Sequence, residues 1–180
     1  HHEAPPPPRR PQKPKQPNEV CICVDMRAPN VAIKHEWHVT PTVDSIVSEL
    51  AGARWFSKTD LRAGHHQLVL DPSSRYITTF STHVGLRRYT HLYFSISSAA
   101  EVFQNTIQGV LAGLPGVLNV SDDILVYAAT VDEHHTQLRA VLRRLQEAGL
   151  TLHRDKCTFL WQQISFFGYS FSAEGVAPDP

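Results

Sequence analysis

Gly116-Val117-Leu118-Asn119-Val120-Ser121-Asp122-Asp123-Ile124-Leu125-Val126-Tyr127-Ala128 is the stretch that decides the fold of this chain. Two short apolar runs, 116–120 and 124–128, flank an acid pair, and the pattern predicts two β-strands joined by a tight turn that lifts Asp122 and Asp123 out of a sheet. Carboxylates about 4 Å apart repel by roughly 4 kcal/mol at an effective dielectric of about 20, so such a pair asks for a cation. Asp60 ends another strand-like run, 55–60. If it reaches the same point, the natural occupant is a pair of Mg2+ ions, hard cations that prefer carboxylate oxygen and serve phosphoryl or nucleotidyl transfer; Mn2+ is the substitute. Acids are common in turns for reasons unrelated to metals. Two continuous apolar runs around the pair, with a third acid at a matching strand end, favour the metal site.

The rest of the chain fits one globular domain. With 180 residues and 42% hydrophobic content it can bury about two-thirds or more of its unfolded surface. No apolar stretch approaches the roughly 20 residues of a membrane helix, and the N-terminus has no signal-peptide layout, so an intracellular protein without membrane contact is expected. Cys21, Cys23 and Cys157 are too few and odd in number for a disulfide framework. Zero formal net charge argues against binding nucleic acid through bulk charge, so any such contact must be local. The chain begins at His1 and its only methionine is Met26, which reads as a piece of a longer open reading frame.

Residues 1–18, with Pro5-Pro6-Pro7-Pro8 and four basic residues, read as a disordered linker, and 19–180 as the folded domain. Within it, 20–25 is strand-like, Pro29-Asn30 a turn, and 43–50 a short helix stopped by Gly52. Residues 55–60, 66–70, 76–82 and 86–89 read as strands. Ser98 with Glu101 and Thr130 with Glu133 have capping-box spacing ahead of two amphipathic helices, stopped near Gly113 and Gly149. The region 151–172 is β-rich, with a hairpin expected around 161–163. In order, the strand ending at Asp60, the helix after Ser98, the acid hairpin, the helix after Thr130 and the last strands spell β-α-β-β-α-β, the split βαβ of ferredoxin-like α+β folds, an antiparallel sheet with helices on one face. In that layout the strands of the acid hairpin are central neighbours, and Asp60 converges on them.

Phe56-Ser57-Lys58-Thr59-Asp60-Leu61, Gly64-His65-His66-Gln67, Ser97-Ser98-Ala99-Ala100-Glu101-Val102-Phe103-Gln104 and Val120-Ser121-Asp122-Asp123-Ile124-Leu125-Val126-Tyr127 resemble successive reverse-transcriptase motifs of gypsy-type LTR retrotransposons. So do Val24-Asp25-Met26-Arg27-Ala28-Pro29-Asn30 upstream, and Lys156-Cys157-Thr158-Phe159, Phe166-Phe167-Gly168-Tyr169 and 175–180 downstream. The likeness covers nearly everything after Glu19, in the family's order and spacing.

The resemblance implies a polymerase palm with β-rich fingers, ending at Pro180 just after the primer-grip hairpin, with the thumb absent. Asp60, Asp122 and Asp123, with the Leu61 carbonyl, would hold two Mg2+ ions. The backbone of Leu61, Arg62, Ala63 and Gly64 would lie against the triphosphate of a dNTP. His65 stands where the family has an aromatic gate against the ribose 2′-hydroxyl, and Phe94 and Ser95 would line the nucleotide pocket. Gln104 would face the template, and Phe167, Gly168 and Tyr169 would grip the primer. The implied partners are an RNA or DNA template with its primer, dNTP, and the thumb, ribonuclease H and integrase of a Pol polyprotein; the implied place is the cytoplasm or a virus-like particle.

Departures from the pattern support a second reading, a catalytically inactive fold that serves as a binding module. Cys21 replaces an arginine that contacts the triphosphate, and a thiol offers no bidentate charged donor. Ser95 replaces a glycine, at a position where the backbone would need positive φ or close approach to the nucleotide. Thr90 and His91 replace a Lys-Arg pair, and Tyr169 a histidine. A palm-type cyclase would share the acids without the 24–30 and 78–89 segments. Zinc at Cys21, Cys23, His35 and His38 has no credible four-ligand set, and Arg139 with Arg143 reads as a solvated helix face.

Overall fold

Strand β1 (Trp55–Asp60) carries the frame of the molecule, because it is paired on both edges. The computed structural model describes residues 24–34 and 41–178. On one side β1 lies antiparallel to β5 (Asp123–Ala128), in a register that runs from Trp55 opposite Ala128 to Asp60 opposite Asp123. β5 turns back on β4 (Val117–Val120), and β6 (Thr158–Trp161) adds to the free edge of β1. The order β4-β5-β1-β6 is that of the split βαβ unit. The central pair is β1 and β5, however, and β4 is an edge strand among the described residues, so the hairpin strands are not both central.

Side chains alternate across the strands, and both faces of the sheet are covered. Ile124 and Val126 meet Phe103, Ile107 and Leu111 of α3 (Ala99–Leu111) and Val141 and Leu145 of α4 (Val131–Glu147). Phe56, Leu118, Val120 and Leu125 face Ile46 and Leu50 at α2 (Val43–Glu49), and Ile164, Phe166 and Phe171 of a second sheet. That sheet is β7 (Gln163–Phe166), β8 (Tyr169–Ser172) and β9 (Gly175–Pro178). The expectation of helices on one face therefore holds for α3 and α4 only; a helix and a small sheet cover the other. This double cover explains why β5 is buried almost throughout.

Two of the four α-helices among the described residues start at a side-chain cap. Thr42 accepts the Ser45 N–H, and Thr130 with Glu133 forms both halves of a capping box. Ser98 makes no side-chain cap, which corrects the expectation drawn from its spacing to Glu101. Gly149, at φ +72°, adopts the left-handed turn that stops α4. Thr130→Ala removes the cap of the longest described helix and is expected to cost about 1 kcal/mol in urea unfolding.

Local apolar pattern misled in other places. The predicted strand at 66–70 is instead a 3₁₀ turn (Gly64–Gln67), entered through Ala63 at φ +49°, and 76–82 divides into a 3₁₀ turn (Arg75–Thr78) and β2 (Phe80–Thr82), paired with β3 (Gly85–Arg87). Pro29-Asn30 is not a turn but lies in α1 (Arg27–Ala32), where Pro29 falls in the first turn and needs no N–H partner. The hairpin expected around 161–163 is a crossing between two sheets, while the tight turn falls at Phe167-Gly168, joining β7 to β8. The linker at 1–18, the strand-like 20–23, and Cys21, Cys23, His35 and His38 lie outside the described residues.

Candidate active site

Because Asp60 ends β1 and Asp123 begins β5 as register partners, their backbones lie side by side, and the Ser121-Asp122 turn holds the third acid beside them. Of the two turn residues only Ser121 is left-handed, at φ +57°. A second tie closes the cluster: the Leu61 N–H donates to the Asp122 carbonyl at 3.0 Å. The loop after α4 wraps the same point. Arg62 N–H donates to Thr151 O at 3.0 Å and His153 N–H to Asp60 O at 2.8 Å, and the 3₁₀ turn Arg154–Lys156 then delivers Lys156.

Two lysines answer two of the acids. Asp60, 8% exposed, receives the Lys156 ammonium at 3.0 and 3.3 Å from its two oxygens. Lys58 precedes Asp60 by two residues and so shares its strand face; its Nζ lies 2.9 Å from Asp123 Oδ2 and 6.0 Å from the centre of the Phe166 ring. Burial pushes the Asp123 carboxyl above the usual carboxylate range, Lys58 pulls it back, and the charges of Asp122 and Asp60 push it up again. A carboxyl raised on folding contributes stability that is present below its unfolded value, about 3.9, and lost as pH climbs through the folded value. Asp123→Asn is therefore expected to raise the urea midpoint of the metal-free chain at pH 7, with the gain gone below about pH 4; an unchanged midpoint at pH 7 would refute it.

Asp122 opens on a cleft of about 280 Å³, lined with it by Leu61, Ala63, Gly64, His65, His66, Phe94 and Lys156. His65 stacks on Phe103, centroids 4.8 Å apart, and burial lowers its pKa against the opposing pull of Asp122. Gly64 is required there, since a Cβ would lie 2.7 Å from Phe103 Cζ. His66 continues the aromatic floor toward Tyr93 and Tyr89, whose rings stack at 4.3 Å. The structure thus brings Leu61, Ala63, Gly64, His65 and Phe94 together around Asp122.

Other expected site residues stand elsewhere. Arg62 and Ser95 do not line this cleft. Ser95 uses its carbonyl to accept Asn30 Nδ2 at 3.0 Å and is not among the left-handed residues, so a side chain at this position carries no φ penalty. Of the four backbone amides placed against a triphosphate, those of Leu61 and Arg62 are committed to Asp122 and Thr151, which leaves Ala63 and Gly64. Gln104, 7% exposed, bonds to Asn119 and Ser121 beneath the acid turn. Phe167 and Gly168 form the exposed tip of the β7–β8 hairpin, and Tyr169 packs against the lower core. Lys58 and Lys156 were given no role in the sequence. The spacing of Lys58 could have revealed it; Lys156 stands in one of the resembling motifs, but it is 96 residues from Asp60 and no spacing pairs the two. Both also line a larger cleft of about 780 Å³ with Trp55, Thr158, Trp161 and Gln163.

Among the described residues no three His, Cys, Asp or Glu side chains converge as a ready ligand set. The donor chemistry nonetheless fits a hard cation, since three acids stand on adjacent backbone positions, two of them against ammonium groups, and Asp123 feels the charge of both other acids.

Residues 12–171 match the family model for reverse transcriptase (RNA-dependent DNA polymerase). The chain belongs to the reverse transcriptase family. This domain is 30% identical over 165 residues to the retrovirus-related Pol polyprotein of Drosophila melanogaster transposon 297, covering 91% of this chain and 16% of that protein. Among solved structures, the foamy viral protease-reverse transcriptase in complex with dsDNA superposes with a TM-score of 0.81 at 25% identity, over 92% of this chain and 35% of that one. The same viral enzyme in complex with an RNA/DNA hybrid gives 0.78 at 25% identity, over 86% of this chain and 21% of that one. The reverse transcriptase domain described here therefore spans a small part of the proteins it matches. The family is one of nucleotidyltransferases and generally uses a divalent metal. No helix among the described residues is long and apolar enough to cross a membrane.

Proposed function

We propose that this chain is the fingers and palm of a gypsy-type retroelement polymerase that joins dNTPs to a primer 3′-hydroxyl on an RNA or DNA template. The observation that carries the reading is the register of Asp60 opposite Asp123, with Asp122 on the adjoining turn and open to the 280 Å³ cleft. Asp60, Asp122, Asp123 and the Leu61 carbonyl would hold two Mg2+ ions, or Mn2+, which supply charge neutralisation for the triphosphate and acidify the 3′-hydroxyl. The chain's own residues do the rest. Ala63 and Gly64 offer amides to phosphate. Phe94 and His65 border the base and sugar, with the Phe103 ring fixing the His65 plane. Phe167 and Gly168, at the tip of the hairpin whose Phe166 ring centre lies 6.0 Å from Lys58 Nζ, would meet the primer. Residues 19–180 form this domain after the 1–18 linker, and a thumb, ribonuclease H and integrase belong to the surrounding polyprotein, working in the cytoplasm or a particle.

Primer extension on an RNA template, with the domain in its full polyprotein, tests the reading. Mg2+-dependent incorporation is expected. Its absence, with recovery on Cys21→Arg, would favour the inactive binding module instead. His65→Ala is expected to raise ribonucleotide over deoxynucleotide incorporation by roughly ten- to a hundredfold, since it removes the ring at the sugar; unchanged discrimination would exclude His65 as the gate.

A further inference from the structure

The acid turn rests on a closed polar network. Gln104 of α3 and Asn119 of β4 are each 7% exposed. Gln104 Nε2 donates to the carbonyl of Asn119 at 3.0 Å and to its Oδ1 at 2.9 Å, and Gln104 Oε1 accepts the Ser121 N–H. Asn119 Nδ2 donates to the carbonyls of Ser121 at 2.9 Å and Asp123 at 3.4 Å. Helix α3 thus grips the backbone at 119 and 121, and Asn119 reaches across the turn to 123, on both sides of Asp122.

The turn needs this grip. A two-residue hairpin turn with positive φ at its first central position favours glycine there, yet this one holds Ser121 at φ +57°. A non-glycine residue stays left-handed only where its surroundings determine it. The bond from the Ser121 N–H to Gln104 fixes the strained residue directly, while Asn119 closes the far side. An apolar pair of similar volume would fill the space, and would release the turn that carries Asp122.

We infer that Gln104 and Asn119 are positioning residues that hold the Ser121-Asp122-Asp123 turn in its metal-competent form. The inference rests on the reading of the acids as metal ligands. Manganese binding to the full chain, followed by electron paramagnetic resonance, tests both, with Asp122→Asn as control. Gln104→Leu and Asn119→Leu are each expected to weaken Mn2+ binding by about tenfold, the scale for residues that orient metal ligands. The double variant should lose little more than either alone, because the pair works as one unit. Amide exchange at Ser121 should quicken in Gln104→Leu, and Asn119→Asp, which keeps the acceptor for Gln104, should recover part of the affinity. If Asn119→Leu does not fold, Gln104→Leu and Asn119→Ser carry the comparison. Folded variants that bind Mn2+ within about twofold of the parent, or show unchanged Ser121 exchange, would overturn the positioning role alone. A parent no better than Asp122→Asn would overturn the metal reading itself.

Discussion

Asp122→Asn is expected to cut nucleotide incorporation by about a thousandfold or more, some 4 kcal/mol of barrier, while leaving the folded chain nearly as stable as the parent. The two halves of this result have separate structural causes. Asp122 is the acid of the three that opens on the 280 Å³ cleft, so its charge acts where a nucleotide would lie. Its fold-holding contact is its backbone carbonyl, which accepts the Leu61 N–H at 3.0 Å and survives the substitution. Asp60 and Asp123 have ammonium partners at 3.0 and 2.9 Å, so replacing either also disturbs an ion pair. Primer extension beside urea unfolding separates the effects. Retained incorporation would remove Asp122 from the site; a large loss of stability would make it a structural acid.

The largest stability effect is expected from Phe103→Ala, at about 3–5 kcal/mol. Phe103 is fully buried in α3, within the cluster that joins Ile107, Ile124, Val141 and Leu145. Its ring fills the space left by the missing side chain of Gly64 and carries the His65 ring at 4.8 Å. Its removal opens a void that backbone on one side and a helix on the other cannot close. Against a typical total of roughly 5–15 kcal/mol this is a large share, and with a slope near 2 kcal/mol per molar the urea midpoint should fall by about 2 M. A fall under about 0.5 M would show that the cleft floor repacks. Since the same ring supports His65, sugar discrimination should loosen at temperatures where the variant is still folded.

Elements with strong period and two partners were legible in the sequence. β1 matches its predicted bounds because it is central, and α2, α3 and α4 follow their 3.6-residue stripes. The adjacency of Asp60, Asp122 and Asp123 was legible too, since two apolar runs and a strand end are local patterns. What failed depended on tertiary context. The alternation at 66–70 resembles a strand, yet Leu68 and Leu70 reach the core from an extended exit after a 3₁₀ turn. The passage from β6 to β7 changes sheets after Leu160, at φ +57°, whose N–H donates to Ser57 Oγ at 3.0 Å. No pattern in 158–166 encodes that partner. Ser95 was suspect only against a family glycine, and the conformation it adopts asks for none.

The ion pairs at Asp60 and Asp123 have a consequence for how such a domain comes into being. An acid cluster that relied on dissolved ions would leave the newborn domain hostage to their supply, and chelation would unfold it. Here the counter-ions are tethered: Lys58 of β1 pairs with Asp123 on the neighbouring strand β5, and Lys156 comes from the 3₁₀ turn that leads into β6. Folding of the domain is thereby independent of dissolved cations, so a chelator is expected to leave its urea midpoint unchanged.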